Sequence, residues 1–232
     1  MMRRYEYKIP CNPVYLPEVE AWIRLHPVHW RVSYPPRQVN NIYFDSPDLE
    51  SLNANLSGVG RREKLRLRWY GPDHTRITDA HLELKCKEGH VGWKEITSFD
   101  GTLDLACAGW SGVMRVLRAG VEPRARHWLA QRPMPALINH YHRAYYETPD
   151  GSIRLTLDTQ LGAFDQRFSR QANLERRVPR SEMLIIEIKT PVDDAAAHRL
   201  SNLLATLPVR INRFSKYLYG LSAAPDLENV MV

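Results

Sequence analysis

The sequence predicts an α+β fold in which a large antiparallel β-sheet closes into a barrel and helices flank it. Three observations lead to this prediction. Segments that alternate apolar and polar residues recur along the chain, most of them adjoin another such segment across a short turn, and a few amphipathic helical segments lie between them. The segment 64–70 shows the alternation most clearly, because Lys64, Arg66 and Arg68 share one face of a strand while leucine and tryptophan share the other.

The composition is that of a globular protein, with 44% hydrophobic and 25% charged residues, and 232 residues suffice for one domain. We therefore expect a single domain over residues 1–232, with a tail that frays from Pro225. The net charge of +6 favours anionic partners: nucleotides, polyphosphate, nucleic acid or a membrane surface. No apolar run spans a bilayer, no secretory signal opens the chain, and three widely spaced cysteines form no disulfide framework, so we expect a cytoplasmic protein.

The first part of the chain predicts two strands and two helices. Residues 4–9 alternate ionic and apolar side chains and predict a strand. Apolar residues at helical spacing predict a helix over residues 16–26, and residues 39–45 predict the second strand. Ser46 and Pro47 predict the start of the next helix, as its N-cap and first helical residue, which two glycines end at positions 58 and 60.

The middle of the chain predicts three strands and a helical section. Residues 64–70 end at a Gly-Pro pair, and residues 80–87 and 91–97 alternate on either side of a hairpin turn at 88–90. Residues 101–132 predict helical structure with arginines on its solvent-exposed face. Its expected buried residues are Leu103, Leu105, Val113, Val116, Leu117, Trp128 and Leu129.

The last part of the chain predicts three strands and two helices. The strands cover residues 136–147, 152–159 and 183–189, with a turn at Pro149-Asp150-Gly151. The arginine-rich residues 162–182 predict a loop or a weak edge hairpin, either solvated or forming a docking patch. Helices are expected from Asp193-Asp194 through Leu207 and over residues 212–222.

The polar faces of these strands are nearly all ionic. They group as Arg4/Glu6/Lys8, Lys64/Arg66/Arg68, Glu83/Lys85, Tyr141/Arg143, Arg154/Asp158 and Glu187/Lys189. For one strand, a solvated face is the better interpretation. For six strands together we favour an enclosed lumen, with the apolar faces packed outward beneath the helices. Arginine and lysine suit phosphate oxygens there, and carboxylates among them suit Mg²⁺ or Mn²⁺ as ligands.

Other common sites are absent from the sequence. It contains no GxxxxGK[ST] loop, no GxGxxG after a strand and no HExxH. His26 and His29 have helical spacing but no third ligand, so we interpret them as ordinary surface or packing histidines. A nucleoside triphosphate would therefore bind without a P-loop or a dinucleotide fold.

An ordered set of segments now resembles a known family, the VTC domain. This is the polyphosphate polymerase domain of the vacuolar transporter chaperone complex, within the CYTH or triphosphate tunnel metalloenzyme superfamily. The segments are Ile42-Tyr43-Phe44-Asp45, Leu65 to Gly71, Leu82-Glu83-Leu84-Lys85, Tyr141-His142-Arg143, Ile153 to Asp158, Ile186-Glu187-Ile188-Lys189 and Phe214-Ser215-Lys216-Tyr217. The resemblance implies a tunnel-shaped antiparallel barrel that binds triphosphate in its lumen with a divalent metal.

The resemblance also implies roles for individual residues. Catalytic contacts with phosphate are expected from Arg66, Arg68, Lys85, Arg143, Arg154, Lys189 and Lys216, the last closing over the phosphate chain. Further substrate contacts are expected from Arg4, Lys8, Lys64, Lys94, Tyr141 and Ser215, with Lys64 at the rim. Glu187 matches the metal-binding glutamate, and Glu6, Asp158 and Glu83 are further metal candidates.

One departure from the superfamily pattern favours the VTC branch. The superfamily usually opens with ExExK, whereas Arg4 replaces the first acidic residue here and leaves Arg4-x-Glu6-x-Lys8. One metal ligand thus becomes a cation that suits phosphate. The sequence shows neither a regulatory helical domain nor a transmembrane bundle, so we expect no translocation of product by this chain.

Three functions remain open. The first is an ATP-dependent polyphosphate polymerase that uses Mn²⁺ or Mg²⁺ to transfer the γ-phosphoryl group to a growing chain. The second is a metal-dependent triphosphatase of the same fold, and the third is a non-catalytic module that binds polyphosphate or another polyanion. Specific nucleic-acid binding is disfavoured, because few aromatic residues accompany the cationic strand faces. Tyr43 and Tyr145 are assigned to packing.

Overall fold

Eight antiparallel strands close into a barrel in the computed structural model of the protein, which describes residues 3–89, 91–210 and 214–221. The strands of the chain are β1 (Arg4–Cys11), β2 (Arg31–Asp45), β3 (Arg61–Tyr70), β4 (Arg76–Ile77), β5 (Ala80–Glu88), β6 (Val91–Phe99), β7 (Leu103–Asp104), β8 (Met134–Glu147), β9 (Arg154–Asp165) and β10 (Leu184–Pro191). Around the barrel the order is β1-β10-β9-β8-β2-β3-β5-β6, and β6 closes on β1. The short strands β4 and β7 pair separately.

Six α-helices accompany the barrel within the described residues. They are α1 (Leu16–Leu25), α2 (Glu50–Leu56), α3 (Trp110–Ala119), α4 (Pro123–Gln131), α5 (Asp194–Thr206) and α6 (Lys216–Leu221). A 3₁₀ turn at Pro13–Tyr15 leads into α1, and the side chain of Asn12 caps it by accepting from the Val14 N–H. In the part of the chain that the structure describes, no helix is long and apolar enough to cross a membrane. The fold class predicted from the sequence is confirmed.

The apolar faces of the strands pack outward beneath the helices. Leu67 of β3 and Leu82 of β5 are fully buried in one cluster with residues of α3 and α4, such as Leu117. On the other side, Ile186 of β10 lies in a second cluster with Val19 of α1 and with leucines of α5. Each aliphatic side chain buried in this way contributes about 1.5–3 kcal/mol to folding. The ionic faces are consequently turned into the barrel.

Two strands are longer than the sequence predicted. β2 begins at Arg31, well before residue 39, and its pairing with β8 shifts between Tyr34 and Arg37. Pro35 and Pro36 lie at this shift, where the ladder needs no N–H donor, so the prolines bend the strand without ending it. The strand start predicted from the sequence, at residue 39, is therefore too late.

β9 likewise continues to Asp165, so the expected loop from residue 162 was wrong at its start. The strand passes an irregularity at Gln160, whose φ of 54° lies in the left-handed region. Gly162 then lies so close to β8 that an added Cβ would be 2.1 Å from His140 Nε2. This close approach favours glycine at position 162.

The helix after β2 starts later than expected. α2 begins at Glu50 and not at Ser46, because Leu49 adopts a left-handed conformation with φ 54°. Its capping is shared: Ser46 Oγ accepts from the Glu50 N–H at 3.0 Å, and the Asp45 carboxylate accepts from the next two N–H groups. Gly58, with φ 67°, follows the end of the helix as the sequence predicted.

The expected helical section at 101–132 is only partly helical. It contains the short strand β7 before α3 and α4. The expected buried residues are confirmed except Val116, which is exposed on α3. The turn at His90, the ends of the last helix at residues 212 and 222, and the tail from Pro225 lie outside the described residues.

The short helix α6 covers the barrel where β2 ends and β8 begins. Tyr217 packs against Tyr43 and Leu137, which lie on the inward faces of these strands. The Tyr217 hydroxyl donates to Asp45 Oδ2 at 2.5 Å, and this same carboxylate caps α2. Asp45 therefore fixes α2 and α6 to the end of the barrel, and α6 directs Lys216 inward.

Candidate functional site

The lumen of the barrel contains more positive than negative side chains. Among the residues that the structure describes, nine cations line it: Lys8, Lys64, Arg66, Arg68, Lys85, Lys94, Arg143, Lys189 and Lys216. Four carboxylates lie among them: Glu6, Glu83, Asp158 and Glu187. Nine charges against four leave an excess of five positive charges in a space with little access to water. Such an interior attracts polyanions.

Glu6 is shared by three lysines from three strands. Lys85 Nζ binds Glu6 Oε2, while Lys8 and Lys189 lie 3.6 and 3.7 Å from Glu6 Oε1. Burial raises the pKa of Glu6, but Lys8 and Lys85 outweigh burial and lower the pKa to about 2. The pKa of Lys85 is lowered, because burial and neighbouring lysines outweigh its share of Glu6. One carboxylate thus compensates only part of the positive charge around it.

A second cluster surrounds Glu83 of β5. Arg66 donates to Glu83 Oε2 through Nε at 2.8 Å and Nη2 at 2.5 Å, and Lys94 donates to Oε1 at 2.7 Å. Although burial raises the pKa of Glu83, Arg66 and its cationic neighbours hold it well below its usual range. All of these partners come from adjacent strands, β3, β5 and β6, so the strand register alone aligns them.

A third cluster occupies the centre of the barrel. Arg143 binds Asp158 in a bidentate pair, with Nε to Oδ1 at 2.5 Å and Nη2 to Oδ2 at 2.7 Å, and also contacts Glu187 Oε2 at 3.1 Å. Lys216 approaches Asp158 Oδ2 at 2.5 Å, and Lys189 binds the other oxygen of Glu187. Burial raises the pKa of both carboxylates, but these cations outweigh it and lower both.

Most of the residues expected at the site converge, and three lie at its edges. Arg154 is on the inward side of β9 but at the open end of that strand, with 62% of its side chain exposed and its Nε 4.0 Å from Glu147 Oε2. The structure thus does not bring Arg154 together with the central cluster. Arg4 is half-buried at the start of β1 and close enough to Lys189 to contribute to its lowered pKa, after burial. Lys64 donates to Ser215 Oγ at 2.9 Å beneath α6.

Two residues that the sequence assigned to packing or passed over contact these cations. Tyr43 accepts from Arg66 Nη1 at 3.2 Å, although the sequence interpretation gave it a packing role only. Asn41 accepts from Arg68 Nε at 2.9 Å and donates to Asn139, so it orients the guanidinium toward Tyr141, whose hydroxyl accepts from Arg68 Nη2 at 2.8 Å. Both lie on the inward face of β2, and that alternation was the available signal.

The carboxylates fit a divalent ion as a pair. Glu6 and Glu187 lie on the adjacent strands β1 and β10, and both carboxylates contact Lys189. Asp158 and Glu83 are each engaged by two cations. Within residues 3–89, 91–210 and 214–221, no group of three or more acidic, histidine or cysteine side chains could hold a metal alone. Mg²⁺ commonly binds one or two carboxylates and completes its shell with phosphate oxygens and water, which this pair allows.

The fold and the lumen define a closed antiparallel barrel of the triphosphate tunnel type, lined by cations and carboxylates. The family model of the VTC domain matches residues 3–224, and the chain therefore belongs to the VTC domain family.

The chain is similar to several solved structures at low sequence identity. The chain resembles the Hippeastrum protein HpAC1, for which a dominant triphosphatase activity is reported, with 16% identity, a TM-score of 0.54, and coverage of 94% of this chain and 95% of that one. The PH1819 protein of Pyrococcus horikoshii is 15% identical with a TM-score of 0.48, over 93% of this chain and 96% of that one. A comparison with curated protein sequences finds no match.

Proposed function

We infer that this protein is an ATP-dependent polyphosphate polymerase. The observation that carries the proposal concerns the described part of this VTC domain family chain, where nine lysine and arginine side chains converge on a lumen with four carboxylates. Phosphate oxygens are the anions that such a set of guanidinium and ammonium groups binds best. We further propose that residues 1–232 act as one domain in the cytoplasm, with ATP and inorganic polyphosphate or triphosphate as ligands.

The lumen residues would act mainly by positioning. Arg66, Arg68 and Arg143 would exchange their present oxygen partners for phosphate oxygens and hold the nucleotide and chain phosphates in line. A terminal oxygen of the chain would form a bond to the γ-phosphorus while the bond from that phosphorus to the bridging oxygen of ADP breaks. Lys189 and Lys216 would neutralise the charge on the oxygens that gain it. In the same way Lys85 would leave Glu6 for phosphate when the ligand enters.

A divalent ion would add to this neutralisation. Glu187 and Glu6 would hold Mg²⁺ or Mn²⁺, and when bound the ion would draw charge from the transferring phosphoryl group. We further propose that Asp158 holds Arg143 and Lys216, and Glu83 holds Arg66 and Lys94, in place in the absence of ligand.

A second candidate is hydrolysis, in which water replaces the chain end as the acceptor. The same residues would bind the triphosphate, so the lumen suits both reactions. The similarity to the Hippeastrum protein supports the common fold, and its reported triphosphatase activity motivates the alternative.

Product analysis separates the candidates. The purified protein is incubated with ATP and Mn²⁺ or Mg²⁺, and the products are resolved by chain length. Long-chain polyphosphate with ADP supports the polymerase, whereas ADP with orthophosphate alone rejects it in favour of the triphosphatase. If neither wild type nor the matched variants Arg66→Ala and Glu187→Ala turn over ATP, a polyanion-binding module is the remaining function, and its affinity should fall with salt.

A further inference from the structure

The inward row of β9 leads from the open end of the barrel to its centre. Arg154, Thr156 and Asp158 alternate on this face, while Leu155 and Leu157 pack outward. Exposure falls along the row from 62% for the Arg154 side chain to 7% for Thr156 and 0% for Asp158. An anion that entered at Arg154 and moved toward the Arg143–Asp158 pair would pass Thr156.

The hydroxyl of Thr156 is buried and finds no hydrogen-bond partner among the residues that the structure describes. Its neighbours in register are Glu187 on β10 and Tyr145 on β8, and Glu187 is engaged by Lys189 and Arg143. Buried hydroxyl groups are nearly always hydrogen-bonded in native proteins, because an unpaired one loses its interaction with water. The Thr156 hydroxyl lies beside several cations, and these cations attract anions into the lumen. An anionic ligand would therefore supply the missing hydrogen-bond acceptor.

We propose that the Thr156 hydroxyl donates a hydrogen bond to a phosphate oxygen of a triphosphate or polyphosphate bound in the lumen. The inference rests on the proposed phosphate-binding function and adds a substrate contact to it. A hydroxyl donates one hydrogen bond to an anionic oxygen without adding charge, so it complements Arg143 and Lys189 on either side of Glu187. Glu187 is the competing acceptor, and a rotation of the hydroxyl toward it would make Thr156 a structural residue instead.

A second threonine provides a matched control. Thr190 Oγ1 is also buried without a partner among the described residues, but Thr190 shares the outward face of β10 with Ile186 and Ile188. Replacing either threonine by valine removes an unpaired hydroxyl and keeps the shape. Only Thr156→Val should affect a ligand in the lumen.

The test compares wild type, T156V, T156S and T190V. Calorimetry measures the binding of inorganic tripolyphosphate, and thermal unfolding is followed with and without tripolyphosphate. We expect T156V to melt no lower than wild type without ligand, to bind tripolyphosphate about tenfold more weakly, and to gain less stability from it. T156S should restore binding because it retains the hydroxyl, and T190V should bind as wild type does. Each titration is repeated with EDTA and with Mg²⁺.

The outcomes are distinguishable from failure of the proposed function. If wild type binds tripolyphosphate and T156V binds equally well, the Thr156 inference is wrong while the function stands. If T156V melts clearly below wild type without ligand and binds unchanged, the hydroxyl serves Glu187 and the inference is overturned. A loss that occurs with Mg²⁺ but not with EDTA assigns the hydroxyl to the hydrated metal instead of phosphate. If wild type itself binds no tripolyphosphate, the phosphate function and this inference both fail.

Discussion

Lys216 of α6 reaches into the barrel and lies with Nζ 2.5 Å from Asp158 Oδ2, at the centre of the lumen. Both side chains are almost completely buried, and Lys216 Nζ also lies 4.6 Å from the centroid of the Tyr141 ring. The last described helix is thereby joined electrostatically to the inward face of β9. Since Arg143 binds the same carboxylate, Asp158 compensates two cations from different elements. Replacing Asp158 should therefore affect both Arg143 and Lys216.

Asp158→Asn should destabilise the protein by about 3–5 kcal/mol, because it removes the carboxylate that buried Lys216 contacts and leaves buried Arg143 with Glu187 alone. Urea unfolding measures this loss. The matched control is Arg199→Gln, which removes an exposed ion pair to Asp150 and should cost at most about 1 kcal/mol. Tripolyphosphate should restore more stability to Asp158→Asn than to wild type, since the anion replaces the lost charge. Equal losses in the two variants would argue against a central role for Asp158.

Glu6 should make stability depend on pH in the acid range. Its pKa is lowered from 4.5 to about 2 in the folded protein, because Lys8 and Lys85 outweigh burial. The carboxylate therefore stabilises the fold fully above pH 4.5, and this contribution is lost as the pH falls from 4.5 toward 2. Glu6→Gln should melt below wild type at pH 7 and show a shallower loss of melting temperature on acidification, measured by circular dichroism.

The melting temperature of Glu6→Gln should still fall on acidification, because Glu83, Glu187 and Asp158 also have lowered pKa values. The control for Glu6→Gln is Glu20→Gln, an exposed glutamate of α1 that should leave the pH profile unchanged. Parallel wild-type and Glu6→Gln profiles between pH 5 and pH 2 would contradict the lowered pKa of Glu6.

Much of the fold was predictable because each strand carries its own signal. Alternation along 64–70 and 80–87 placed β3 and β5, and the ionic faces indicated that the apolar faces pack outward. The signal failed where a local irregularity interrupts a strand that tertiary pairing maintains. Pro35–Pro36 in β2 and Gln160 in β9 are such places, and the partner strand β8 carries the pairing across both.

The sequence predicted which types of residue line the site, but not which of them contact one another. Lys85 meets Glu6 only because β6 closes on β1, and Lys216 meets Asp158 only because α6 folds over the barrel. Such contacts depend on strand order and closure, which a single sequence does not state. Tyr43 was missed for a related reason: a tyrosine only packs or also accepts a hydrogen bond according to its neighbours, and here Arg66 donates to its hydroxyl.

Glu187→Gln should abolish the metal dependence of turnover, if Glu187 and Glu6 hold the divalent ion. We expect wild-type turnover of ATP to fall at least about 100-fold on removal of metal with EDTA, and Glu187→Gln to have that low rate with or without Mn²⁺. Glu20→Gln again serves as the control. A Glu187→Gln variant that responds to Mn²⁺ as wild type does would place the metal elsewhere. Binding of tripolyphosphate in EDTA should persist in this variant, because the cations remain.

The arginine-rich segment after β9 should position Lys216 by holding α6. Arg180 donates through Nε to the Tyr219 carbonyl at 3.0 Å, and the Tyr219 hydroxyl donates to the Ser181 carbonyl at 2.5 Å. Arg167 reaches the Leu221 carbonyl at 3.4 Å. The two arginines thus satisfy carbonyl groups at the end of a helix too short to be stable alone, and the Tyr219 hydroxyl ties that helix to the segment. The sequence interpretation of this segment as solvated or as a docking patch therefore does not hold for Arg167 and Arg180, which contact α6.

Arg180→Ala should loosen α6 and weaken tripolyphosphate binding about three- to tenfold, as measured by calorimetry. Arg176→Ala is the control, because Arg176 is an exposed arginine of the same segment. The decisive comparison is a double-mutant cycle with Lys216→Met. If Arg180 acts through Lys216, Arg180→Ala should cost little further affinity in the Lys216→Met background, so the two losses do not add. Additive losses would show that Arg180 affects the ligand independently of Lys216.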